Sequence, residues 1–272
     1  MIIFSKLAFK YTAALAISLY CTGFRMEESP SGTDTITIGQ NELPASLIRQ
    51  YKRDASRMAL RLEAEKEDLR YSSIFIPKDK TNAIYTVLAN IWTKNETAKS
   101  IARCNVHTFP NPSIDNFIVI YKRQAEWAAP LRQGTNETTS PEINRLLSLY
   151  GLSIDKHVQW NETLDAITIR SRELLNMTAL SQEFRNINGV VDIDMNIPKV
   201  AGNDIKIVRV SGGWEVEYIM RFGAYAGDPK VHYWRFKASD NTTVTLLKEG
   251  GDPIPSWMRC NMEEDLPLTK KG

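Results

Sequence analysis

Apolar positions along this chain fall into two rhythms, one of three to four residues and one of two. After Pro44, Leu47, Ile48, Tyr51, Ala55, Met58 and Leu62 recur at helical steps, which predicts a long amphipathic helix. The positions between them are dense in Arg, Lys, Glu and Asp, which reads as a solvated outer face. Ser72 to Pro77, SSIFIP, reads as a short strand. Ile84, Val87, Leu88, Ile91 and Trp92 mark one face of a second helix starting near Asp79, and Lys94 to Arg103 reads as a shorter third.

From Asp115 onward strands and helices alternate. DNFIVIY (115–121) is a β-branched strand. Pro141 suits the first turn of a helix over Glu142 to Tyr150, and Gly151 stops it. Leu152 to Trp160 and Asp165 to Ser171 are two further strands. Arg172 to Asn186 reads as a helix, ended by Asn188-Gly189. Val190 to Asn196 is a strand with Asp192 and Asp194 on one face and Val191, Ile193 and Met195 on the other. Strand, helix, strand, strand, helix, strand is the split βαβ, ferredoxin-like order: an antiparallel sheet with both helices on one face. Beyond it, Asp204 to Val210, Trp214 to Phe222, Lys230 to Ala238 and Thr243 to Lys248 predict an antiparallel meander. The expected class is α+β.

The first residues carry a different pattern. Lys6 and Lys10 precede an uncharged, mostly apolar run from Tyr11 to Tyr20, then small residues, and the first acid is Glu27. That is the layout of an export signal ending near Gly23, and its apolar run is too short to span a bilayer, which takes about 20 residues. Cys21 is the alternative processing point, as an acylated lipoprotein cysteine. The expected organisation is a signal over 1–23, a linker over 24–42 with a short strand at Thr35 to Ile38, a helical subdomain over 43–114, the split βαβ region over 115–200, the meander over 201–255 and a flexible tail over 256–272. The mature chain is placed in the periplasm, on the cell surface or outside the cell.

Composition narrows the chemistry. The chain has 272 residues, with 34 Lys and Arg against 32 Asp and Glu. Cleavage of the leader removes Lys6 and Lys10 and leaves 32 against 32 (34 − 2), so there is no electrostatic case for binding nucleic acid or an anionic membrane. With Cys21 removed or acylated, Cys104 and Cys260 remain as a disulfide candidate in an oxidising compartment, against two separate thiols. His107, His157 and His232 lie far apart, without the close pairs that announce zinc, so neither a metal nor a cofactor is expected. No nucleophile elbow, phosphate-cradling loop or calcium loop is present. His107, Cys104 and Asp115 are the weak catalytic candidates, a Cys–His pair with an orienting acid, against structural roles for each. The i, i+2 acids Asp192/Asp194 and Glu215/Glu217 could serve a glycosidase or calcium, but such pairs are also the wet face of an ordinary strand. Asn95, Asn136, Asn161, Asn176 and Asn241 begin N-x-T triplets. They are glycan acceptors only in a eukaryotic secretory pathway, and several fall where a cap is expected. Trp214, Tyr218, Tyr225 and Trp234 are binding-surface candidates that could meet a sugar ring or a protein partner, set against an aromatic core.

IARCNVHTFPNPSI (101–114), LLSLYGLSI (146–154), GNDI (202–205) and HYWRF (232–236) resemble landmarks of a group of exported proteins of Bacteroidota-type bacteria with no known activity. The resemblance implies export and a shared fold. Where that pattern would place a cysteine pair, this chain has Gly223 to Pro229. The expected function is non-catalytic binding of a protein or carbohydrate. A hydrolase whose residues converge only in the fold and a protease-propeptide-like inhibitor are the alternatives. Two or more of His107, Cys104, Asp115 and Glu142 in one deep pocket would point to the enzyme, and a flat sheet face with exposed Trp or Tyr to binding.

Overall fold

The computed structural model describes residues 43–66, 72–223 and 229–258. The leader, the linker with its Thr35–Ile38 strand, Cys21, Tyr225, Cys260 and the tail from 259 on lie outside them. The chain is α+β. Three helices come first: α1 (Ala45–Lys66), α2 (Lys78–Lys94) and α3 (Glu96–Arg103). There follow β1 (Asn116–Lys122), a 3-10 turn at Glu126–Ala128 that runs into the one-turn helix α4 (Ala129–Arg132), α5 (Pro141–Leu149), β2 (Leu152–Gln159), β3 (Leu164–Ser171), α6 (Met177–Arg185) and β4 (Val190–Asp194). The chain then forms β5 (Asp204–Val210), β6 (Gly213–Phe222), β7 (Lys230–Ser239) and β8 (Val244–Gly251). Among the described residues no helix is long and apolar enough to cross a membrane.

The first four strands pair antiparallel in the order β2-β3-β1-β4, and the last four in the order β5-β6-β7-β8. Each sheet is half of a two-layer sandwich with helices. Phe117, Val119, Tyr121, Ile167 and Ile169 of the first sheet bury against Ile143 and Leu146 of α5 and Leu180 and Phe184 of α6. Val216, Tyr218, Trp234 and Phe236 of the second bury with Tyr51 and Met58 of α1 and Ile84, Leu88 and Ile91 of α2. Apolar periodicity therefore specified both layers, because each element can bury only the face on which its apolar residues gather.

Local chemistry sets the boundaries. Ser140 caps α5, its hydroxyl accepting from the Ile143 N–H at 3.2 Å, with Pro141 in the first turn. α6 begins at Met177, not at the expected Arg172. The Asn176 side chain accepts from the Ala179 N–H and so fixes the start, leaving Leu174 and Leu175 in the connection. The expected SSIFIP strand is a single bridge between Phe75 and Leu175, because the segment lies against that connection and meets no ladder of residues. In β4, register slips where Ile120 pairs with Asp192 and Tyr121 with Val190. Val191 is the extra residue of that bulge and is exposed, not inward as alternation alone predicts.

The largest departure concerns α1. Its charged side is not a solvated face. Asp54 and Arg57 are buried, and with Arg53 and Arg61 they hold the 105–115 loop and the start of β5.

Candidate functional site

The four arginine and aspartate positions of α1 form one clamp. Asp54, fully buried, accepts from the Thr108 N–H at 2.9 Å, the Thr108 hydroxyl at 2.7 Å and His107 Nδ1 at 2.8 Å. Arg57 reaches the Thr108 hydroxyl. Arg53 meets Asp115 at 2.7 Å. Arg61 donates to the carbonyls of Phe109 and Asn111 and to Asp204 Oδ1 at 2.9 Å. Burial raises the Asp115 pKa, but Arg53 and Asn116 outweigh it and hold the carboxyl below its ordinary value. Burial also pulls the Arg57 guanidinium down from its usual value. The Tyr51 and Tyr218 rings sit behind this clamp. Burial lifts both hydroxyls above the ordinary phenol value, and Asp54 adds to the effect. Each of the two hydroxyls senses the other, yet neither makes a hydrogen bond of sound geometry.

The catalytic candidates do not converge. His107 has Nδ1 committed to Asp54 and lines a cleft with Gln50, Trp92 and Asn105. Cys104 ends α3 and lines a different pocket with Trp234 and Met258. Asp115 is spent on Arg53. Glu142 lines a third cleft, beside Trp127 and Gly189. His157 lies 3.6 Å from the buried carboxylate of Asp165, too far for a hydrogen bond, and Arg123 bonds that carboxylate at 3.0 Å. His232 is buried, its two nitrogens facing the Asp252 carbonyl and Glu249. Among the described residues no three His, Cys, Asp or Glu are grouped to hold a metal ion.

The aromatic candidates are corrected as well. Tyr218 and Trp234 are 1% and 5% exposed and belong to the core under α1 and α2. Trp214 is half-buried at the edge of that core, with the Arg209 guanidinium over its ring. A strand's alternation tells which residues share a face; here the helices cover that face. Four of the five N-x-T asparagines hold local structure. Asn95 and Asn176 cap helices, and the Asn161 and Asn241 side chains accept from N–H groups two residues on.

What sequence reading passed over is the outer face of the first sheet. Pairing places Lys156, Thr168, Ile118 and Asp194 in one row across it, and Val158, Ala166, Ile120 and Asp192 in the next. Trp160 follows Val158 by two residues, and its N–H bonds the Leu164 carbonyl at 3.0 Å, so both extend the same face. Ile118, Ile120 and Ala166 belong to neither core cluster, although Ile120 (8% exposed) and Ala166 (1%) are themselves buried. Ile118, Val158, Leu164 and Thr168 are half-exposed, and Trp160 is 51% exposed. The result is a partly exposed apolar strip with Asp192 and Asp194 along one edge and Lys156 and the Arg170–Asp155 pair toward the other. The available signal was the alternation Lys156, Val158, Trp160 in and just beyond β2, opposite Leu164, Ala166, Thr168 in β3.

Comparison of the chain with family models, with curated proteins and with solved structures gives no match.

Proposed function

We propose that this is an exported, non-catalytic binding protein whose partner is a protein docked on the outer face of the β2-β3-β1-β4 sheet. The observation that carries the reading is the half-exposed strip of Trp160, Val158, Leu164 and Ile118 on a sheet whose other face is the one that packs α5 and α6. A sheet that buries one face has the other to offer, and an exposed tryptophan among aliphatic residues is the composition of an interface centre. Aliphatic neighbours favour a protein surface over a sugar, which stacks on rings and needs polar partners around them. Asp192 and Asp194 call for basic groups on the partner's rim.

The leader supports export, and the resemblance to exported Bacteroidota-type proteins agrees with it. A disulfide between Cys104 and Cys260 belongs to the same reading. Met258, two residues before Cys260 in the sequence, lines the pocket that Cys104 lines, which supports that pairing.

The test is photo-cross-linking from position 160 in the envelope of the native host, followed by affinity measurement with the purified partner. Trp160→Ala should weaken that complex about thirtyfold, the cost of about 2 kcal/mol at an interface hot spot, with the melting temperature unchanged. Equal affinity of wild type and Trp160→Ala for the cross-linked partner would refute the reading. If the partner is a protease that the protein inhibits, the same face acts as an inhibitory surface.

A further inference from the structure

The second sheet ends on β5, and among the described residues no strand pairs with that edge. The Ile205 N–H bonds the Asp204 side chain, and the Ile205 carbonyl accepts from Arg61. Both Ile205 backbone groups therefore point away from β6. In an antiparallel pair a residue's N–H and C=O face the same side, and the pattern repeats every second residue. Ile207 and Arg209 thus direct their N–H and C=O groups outward too, and no described strand pairs with them. β5 pairs with β6 without a register shift from Asp204 to Val210 and contains no proline. The opposite end of the sheet is different: the β7–β8 pairing is bulged and β8 ends on Gly250-Gly251. β5 thus lacks two of the devices that blunt an edge, a bulge and a proline, and relies on the charges of Lys206 and Arg209 alone.

Beside this edge runs an open groove of about 750 Å³. Met58 and Leu62 of α1 and Ile205 and Ile207 of β5 make its apolar wall, and five consecutive β5 residues, Asp204 to Val208, line it. Arg61 closes the groove at the Asp204 end. On the outer side Lys206 faces Glu217 across the pairing, but Glu217 is held by Arg235 at 2.7 Å, and Lys206 itself forms no ion pair among the described residues.

We infer that β5 accepts an extended peptide by strand addition, with an apolar side chain next to Ile207 and an acidic one next to Lys206. Ile207 supplies a donor and an acceptor to the incoming backbone, and alternate side chains enter the apolar wall or meet Lys206, which is how strand addition combines affinity with selectivity. This surface lies on the other sheet from the Trp160 face, so either can fail without the other.

The probe is acetyl-Ser-Val-Ile-Glu-Val-Ser-amide, titrated into the purified mature chain by calorimetry. It should saturate, and methylating the isoleucine nitrogen should weaken it about tenfold, the worth of one backbone hydrogen bond. Lys206→Glu should weaken the parent peptide about tenfold and restore binding to a peptide with lysine in place of glutamate. Trp160→Ala should change nothing. The inference is overturned if the peptide does not saturate by about 1 mM, if the methylated peptide binds equally well, if the charge swap fails to restore binding, or if Trp160→Ala abolishes it.

Discussion

Removing the Asp54 carboxylate tests whether the α1 clamp is structural. Asp54→Ala deletes the acceptor for three donors at once, the Thr108 N–H, the Thr108 hydroxyl and His107 Nδ1. Thr108 is 5% exposed, so its amide is left without water to replace the lost partner. A buried donor orphaned in this way costs about 1–3 kcal/mol. Arg57, itself buried, also loses a nearby counter-charge. The sum is about 3–5 kcal/mol after allowing for some relaxation. That is a large part of the roughly 5–15 kcal/mol that holds a domain folded, and it should lower the melting temperature by about 10 °C in a chain of this length. Asp54→Asn keeps one oxygen for Thr108 and sets an amide against His107, which can answer by moving its proton to Nε2. Its cost should be about 1–2 kcal/mol. Urea titration of the mature chain followed by tryptophan fluorescence gives both values, with the m-value unchanged. A loss below about 1 kcal/mol for Asp54→Ala would refute the clamp. The Asp54–His107 pair, facing a cleft, would then have to be read as functional chemistry.

Two further outcomes follow from buried groups. Tyr51, Tyr85, Tyr121 and Tyr218 all have hydroxyls raised above the ordinary phenol value by burial. A raised folded-state pKa contributes stability that is present below the unfolded value, about 10, and is lost as pH climbs above it. Ultraviolet titration should therefore show a class of tyrosines that ionise only together with loss of the fold at alkaline pH; smooth ionisation of all ten tyrosines with the fold intact would contradict this. Gly251→Ala should destabilise by about 2–4 kcal/mol, because φ is +97° there and an added Cβ would run into the Val231 carbonyl oxygen. An unchanged urea midpoint would show that the β7–β8 end can shift at little cost.

The fold was legible where a face carries its own pattern. The split βαβ order could be read because five-to-nine-residue runs switch cleanly between periods of two and three to four, and because Ser140, Pro141 and Gly151 punctuate α5 as helix chemistry requires. It failed where pairing, not local pattern, decides. Val191 alternates correctly with Ile193, but a bulge that exists only against Ile120 and Tyr121 turns it to solvent. Arg172 to Leu175 carry helix-forming residues, but they are held instead by backbone bonds from Ser171 and Leu175 to Asp115 and Ile114, while Asn176 caps the helix that follows. Propensity is a weak prior against such contacts.

The same distinction explains the functional residues. Periodicity shows which side chains share a face but not what lies opposite. The charged side of α1 looked wet because Thr108 is 54 residues from Asp54 and Asp204 is 143 from Arg61. No local signal ties groups across such separations, although Arg53, Arg57 and Arg61 at four-residue steps do mark a coherent face. Trp214, Tyr218 and Trp234 share a face that reads equally as a binding surface or an aromatic core, because a strand has two faces and only the packing of α1 and α2 tells which is covered. Trp160 reads as the last residue of a strand, and its place beside the outer-face positions Leu164, Ala166 and Thr168 emerges only when β3 pairs with β2. A face made of alternate residues from four strands has no contiguous signature in the sequence.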